Sequence, residues 1–126
     1  MKKYGREMFP LHLSFHSYGQ MILRPYSHTL VPPPNVRNLD ALGNVMLASL
    51  RSSGFSYRYG TSADILYAVG GASADWAYHF GVPYTYIIEL PPLNSFIYTP
   101  SNIQQTCEQI WNMLVAMTGH LKVQGY

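Results

Sequence analysis

Cysteine, charge and long apolar runs are all scarce in this chain of 126 residues. Cys107 stands alone, which excludes an internal disulfide and a thiolate zinc cluster. Charged residues make up only 11% of the chain against 48% hydrophobic, little charge for a domain whose whole surface faces water. Such a composition implies that part of the surface is meant to be covered. Eight Lys and Arg face six Asp and Glu, and the basic residues are scattered, so nucleic acid is not implied as a partner. No stretch approaches the roughly 18 apolar residues of a membrane span, and no membrane partner is expected. Residues 1–7 carry basic side chains but lack the apolar run of about seven residues that a signal peptide needs. The chain is long enough for one domain at most, with about two thirds of its unfolded surface buried.

What is present centres on residues 67–90. Gly70 and Gly71 make a turn that leads into a short helical segment bearing Asp75 and Trp76. The run from Tyr84 to Ile88 is aromatic or β-branched without alternation, the pattern of a strand buried on both faces in a mainly parallel sheet. It ends on Glu89. Ligand sites of open α/β sheets lie beyond the carboxyl ends of strands, which makes Glu89 a candidate. From this stretch alone, a solvated residue closing a strand is the plainer account.

Upstream, Leu11 to His16 alternates, with Leu11, Leu13 and Phe15 on one face of a strand and His12, Ser14 and His16 on the other. Four residues apart on a strand, His12 and His16 lie about 13 Å from each other and cannot share a metal ion. His16 is the better candidate because the glycine-containing loop Ser17-Tyr18-Gly19-Gln20 follows it. The segment from Val31 to Pro34 is an extended connection. Asn35 or Asn38 can cap a helix whose apolar positions are Leu39, Leu42, Val45, Met46 and Leu50, with Gly54 to stop it. Phe55 to Tyr59 alternates weakly, and Ser62 to Leu66 suits a helical turn. Pro91 and Pro92 end the late strand. A last helix is predicted from Ser101, with Gln104 completing a capping box and Gly119 closing it. Its expected buried stripe is Ile103, Cys107, Ile110, Trp111, Leu114 and Val115, which makes Cys107 a small buried hydrophobe.

Two blocks together, Ser14-Phe15-His16-Ser17-Tyr18-Gly19-Gln20-Met21-Ile22-Leu23-Arg24-Pro25-Tyr26 and Tyr57-Arg58-Tyr59-Gly60 running on to Glu89-Leu90, resemble the zinc metallocarboxypeptidases of the carboxypeptidase A/B type. The resemblance covers nearly the whole chain but only the C-terminal portion of the family's catalytic domain. It implies an α/β fold, part of a mixed, mainly parallel sheet flanked by helices, with residues 1–126 as a partial domain. It also implies release of C-terminal amino acids from peptides or proteins, a Zn2+ cofactor and a secreted, extracellular setting. His16 falls on the family's third zinc ligand. Glu89 falls on the general base that activates a zinc-bound water. Tyr67 matches a mobile tyrosine that closes over substrate, and Ser17 and Tyr18 match an adjoining substrate subsite. Ala74 falls at the floor of the specificity pocket, where a small apolar residue implies a preference for apolar or aromatic C-terminal side chains. Asp75 and Trp76 stay open between structural and functional roles.

The pattern also departs from the family's. No His-x-x-Glu motif precedes His16, so one zinc ligand is present and two are expected from an upstream segment. Inactivity of the isolated chain follows from that reading, and a non-catalytic interaction protein is the alternative. Pro91-Pro92-Leu93-Asn94 replaces the family's Arg-Asp turn after the base, and Ile87 stands where a hydroxyl residue is usual.

Overall fold

The computed structural model of the protein describes residues 9–126. Residues 1–7, read above for a targeting signal, lie outside the described residues. Strand β1 (Leu11–Ser17) and strand β2 (Met21–Leu23) precede helix α1 (Val36–Ser52), strand β3 (Arg58–Gly60) and the short helices α2 (Ser62–Ile65) and α3 (Ser73–His79). Strand β4 (Tyr84–Leu90) follows, and a 3-10 turn (Pro100–Asn102) leads into helix α4 (Ile103–Val123). The strands form one sheet in the order β1-β4-β2-β3. β1 pairs with β4 and β2 with β3 in parallel, while β2 and β4 run antiparallel. The expected mixed, mainly parallel sheet is therefore present, with β4 inside it.

β4 is buried because both its faces are covered. Tyr84, Tyr86 and Ile88 join Ile22 in a core with Leu39, Leu42, Met46 and Leu50 of α1 and Met113, Met117 and Leu121 of α4. The Tyr86 hydroxyl, fully buried, donates to the Leu39 carbonyl at 2.8 Å, which satisfies the one polar atom of that ring. α3 packs on β4 and β1. Its buried Ala74 and Ala77 stand outside that core, on the opposite face.

Helix α1 follows its sequence pattern, with Val45 half-buried at the margin of the stripe. Gly54 at φ +85 ends it, and the Phe55 amide donates back to the Leu50 carbonyl, as a glycine stop allows. Asn35 holds the N-cap position, but its side chain does not cap. Instead its Nδ2 donates to the Pro83 carbonyl and its Oδ1 accepts from the Tyr78 hydroxyl, joining the start of α1 to the approach to β4.

Helix α4 departs from expectation. The capping box is not formed, since Gln104 reaches forward to Glu108 at 3.0 Å, and Gly119 does not stop a helix that runs to Val123. The buried stripe is Thr106, Gln109, Met113, Met117 and Leu121. Ile110 and Leu114 are half-buried, Cys107 is exposed, and Trp111 is 66% exposed. The physical reason is partnering: Met113, Met117 and Leu121 join the core with α1, and Gln109 on the same face donates to the Ser53 carbonyl at 3.1 Å.

Candidate active site

On adjacent parallel strands, residues in register point the same way. His12 pairs with Thr85, Ser14 with Ile87 and His16 with Glu89, so these three pairs rise from one face of the sheet, and the last stands at the carboxyl ends of β1 and β4. Met21 of β2 faces Glu89 from the other side. The imidazole and the carboxylate that lie 73 positions apart in the chain are thus neighbours. Burial raises the pKa of Glu89 above the usual carboxylate value, and the His16 charge opposes that rise. A carboxylate moved toward neutrality is a better proton acceptor than a fully solvated one.

The loop after His16 is held onto β4. The Gly19 amide donates to the Leu90 carbonyl at 3.1 Å, and Gly19 is buried at φ +138, a conformation that suits glycine. Ser17 is exposed at the end of β1, and Tyr18 packs edge-on to Phe96 at 4.6 Å between ring centres. Tyr67 is exposed on the segment after α2, ahead of Gly71 at φ +78. That segment is anchored two residues on, where the Val69 amide donates to the Ser27 carbonyl. Asp75 completes the clamp: its carboxylate accepts from the Ser27 amide at 2.9 and 3.0 Å and from His28 Nδ1 at 2.9 Å. Asp75 therefore ties the start of α3 to residues 27 and 28. Trp76, exposed on the same helix, stacks on Phe80. Ala74 is buried within α3.

Deeper on the same sheet face, the Thr85 hydroxyl and His12 Nδ1 are buried with no hydrogen-bond partner among the described residues. Burial lowers the His12 pKa and favours the neutral ring. The sequence places His12 on this face of the strand, but it signals neither Thr85 nor the hydrogen bond between Ser14 Oγ and His16 Nε2 at 2.9 Å. The signal for the last lay in the alternation, which puts residues two apart on one strand face.

A catalytic zinc takes three protein ligands and leaves one position open. Among the described residues, no group of three or more His, Cys, Asp or Glu is placed to hold a metal ion. His16 suits such an ion as a single donor, but the donor set within the described residues does not make a complete zinc centre.

The imidazole and the half-buried carboxylate stand at the ends of parallel strands of an open mixed α/β sheet, the place where ligand sites of such sheets lie. The chain matches the zinc carboxypeptidase family over residues 1–113, and it belongs to that family. Carboxypeptidase O of Bos taurus is 37% identical over 115 residues, covering 89% of this chain and 31% of that protein. Carboxypeptidase A1 of Mus musculus is 34% identical over 111 residues, covering 86% of this chain and 26% of the relative. Bovine thrombin-activatable fibrinolysis inhibitor, solved in complex with tick carboxypeptidase inhibitor, superposes with a TM-score of 0.86 at 25% identity over 93% of this chain and 40% of its own. The chain thus spans less than a third of the length of the two relatives named first.

Proposed function

We propose that residues 1–126 are one part of a zinc metallocarboxypeptidase domain, carrying its general base, Glu89, and one zinc ligand, His16, with the other ligands contributed from outside this stretch. The observation that carries this reading is the register pairing of His16 with Glu89 at two parallel strand ends. With a complete ligand set, zinc supplies Lewis acidity for attack on a peptide carbonyl. The part played by this chain is narrower. Glu89 accepts and returns a proton, and its partial burial keeps the carboxylate basic enough to do so. Tyr67, Ser17 and Tyr18 line the approach of a peptide or protein C-terminus. Ala74 gives no charge to a side chain arriving near it, which suits apolar or aromatic C-terminal residues. An extracellular setting goes with this reading.

The incompleteness has a second support. β1 is an edge strand, and beside it lies an apolar groove between Phe15 and Leu90 on one side and Cys107, Ile110 and Trp111 on the other. Edges and apolar patches of this kind are normally covered. The same face favours the alternative, a non-catalytic interaction protein that uses the groove for a partner. Zinc analysis of the purified chain together with a C-terminal peptide hydrolysis assay tests the first reading. Neither stoichiometric zinc nor turnover is expected from the isolated chain, and both are expected once upstream sequence bearing the missing ligands is joined to it. Stoichiometric zinc with turnover in the 126-residue chain alone would overturn it.

A further inference from the structure

Residues 66–71, which carry Tyr67 between α2 and α3, have little packing to hold them, and only Val69 among them is half-buried. A segment of this kind takes its place from its hydrogen bonds. Its upstream end is fixed, since the Leu66 amide donates to the Ser62 carbonyl of α2 at 2.9 Å. Downstream of Tyr67, the Val69 amide donates to the Ser27 carbonyl, also at 2.9 Å, and among the described residues no other hydrogen bond joins residues 67–71 to another element. Ser27 is in turn held through its own amide. The residue is 2% exposed, and that buried amide donates to both carboxylate oxygens of Asp75 at 2.9 and 3.0 Å. The His28 ring adds a further bond to the carboxylate, from Nδ1 to Oδ2 at 2.9 Å. Hydrogen bonds to a carboxylate are about twice as strong as neutral ones. Asp75 follows Val69 closely in the chain, so residues 69–75 and these bonds close a ring through Ser27. Gly70 and Gly71 let the chain turn back on itself, with Gly71 at φ +78.

We propose that Asp75 is a positioning residue for Tyr67: its carboxylate fixes the backbone of Ser27, the Ser27 carbonyl fixes Val69, and Tyr67 is thereby held on the short span between the backbone anchors at Leu66 and Val69. The tether closes through one neutral bond, from Val69 to Ser27, while the bonds behind it are charge-assisted. It therefore acts as a latch, in which the segment bearing Tyr67 leaves residues 27 and 28 only when Val69 releases Ser27. What the latch does for a substrate rests on the reading of Tyr67 as lining the approach of a peptide C-terminus; the latch itself does not.

The test follows backbone amides in the 126-residue chain labelled with 15N. In the parent, the Val69 amide is expected to be protected from exchange, and residues 67–69 to show the order parameters of about 0.85 that mark rigid backbone. Asp75→Ala should speed Val69 exchange about tenfold or more, the effect of losing a hydrogen bond to a charged group. It should also lower the order parameters of residues 67–71 below about 0.6, while the Leu42 and Met46 amides of α1 keep their protection. His28→Gln leaves the Ser27 amide bonded and should change both measures less; an effect as large as that of Asp75→Ala would overturn the route through Ser27. Unchanged Val69 exchange in a folded Asp75→Ala chain would overturn the proposal, as would a loss of protection spread evenly over α1. If Asp75→Ala does not fold, Asp75→Asn carries the same test with a smaller expected rise, because its carbonyl oxygen still accepts from the Ser27 amide, and no rise there is equally fatal. In the chain joined to upstream sequence bearing the missing ligands, Asp75→Asn should raise KM for a C-terminal peptide several-fold and lower kcat less. A loosened segment with an unchanged KM upholds the latch and removes Tyr67 from the substrate approach. Absence of turnover in the parent of that longer chain removes the metallocarboxypeptidase reading, and the exchange result still decides the latch.

Discussion

Helices α1 and α4 lie against each other and each carries an apolar stripe in sequence, yet the two stripes meet different fates. In α1 the stripe is the core: Leu39, Leu42, Met46 and Leu50 have no exposed surface. In α4 the core face is Thr106, Gln109, Met113, Met117 and Leu121, while Ile103, Trp111 and Val115 are each more than half exposed. α1 has one apolar face and two neighbours to fill it. α4 has apolar residues on more than one face, and within the described residues only one of those faces is covered. The contrast shows that a helical period specifies that a face is apolar, while burial depends on whether anything stands opposite.

The sharpest way to break this contrast is to truncate one residue of each stripe. Leu42→Ala should cost about 2–5 kcal/mol, because it removes buried surface and leaves a cavity. Trp111→Ala should stay within about 0.5 kcal/mol despite the larger side chain, since little of it is packed. Urea denaturation of the two variants measures both, and equal losses would show that α4's outer stripe is covered in solution.

A second change acts on α1 alone. Gly43 sits against the Tyr59 ring, so a methyl group there would strike the ring. Tyr59 cannot yield freely, because its hydroxyl donates to Asp40, which also accepts from Arg24 Nε, each at 2.8 Å. Gly43→Ala should therefore destabilise by about 1–3 kcal/mol, outweighing the gain of about 1 kcal/mol that alanine brings to an open helix position. A rise in melting temperature would mean that the contact is slack.

Trp111→Asp probes the uncovered stripe from the other direction. It should reduce self-association in sedimentation velocity runs without lowering the melting temperature, because an exposed apolar patch drives association and not folding. An unchanged sedimentation profile in a chain that does associate would place the sticky surface elsewhere.

The smallest effect extends the contrast to the two faces of the sheet. Glu89 has a folded pKa above the ordinary 4.5, so folding favours its protonated form. Its contribution to stability is present below the unfolded value and is lost as pH rises through the folded one. Glu89→Gln should accordingly be slightly more stable than the parent at neutral pH, with the difference closing below pH 4.5. Denaturation midpoints across that range measure it, and a variant less stable at neutral pH would mean that the carboxylate is engaged by a partner that stabilises its charge.

Much of the site was legible before the fold. Tyr84 to Ile88 announced an interior strand by lacking polar alternation, and β4 is that strand. Leu11 to His16 announced its face by alternating, and β1 keeps it, although Phe15 at its tip is exposed. The contacts of Asp75 were not legible, because its partners Ser27 and His28 lie 48 and 47 positions away, and Ser27 donates through a backbone amide that almost any residue could supply. The burial of α4 was misread for a similar reason: Gln109 and Thr106 look like surface residues until a carbonyl and the Tyr98 hydroxyl are found beside them.

By itself the order of residues determined β1, β4, the helix α1 and the two candidate groups at the ends of strands, since backbone preference and side-chain alternation act over a few neighbours, whereas the three-residue β2 carries no such pattern of its own. Only the tertiary structure decided that His16 and Glu89 stand in register, that Ser14 backs His16, and which side of α4 is inside. Those outcomes depend on which surfaces meet, and the meeting of distant surfaces is a property of the packed chain as a whole.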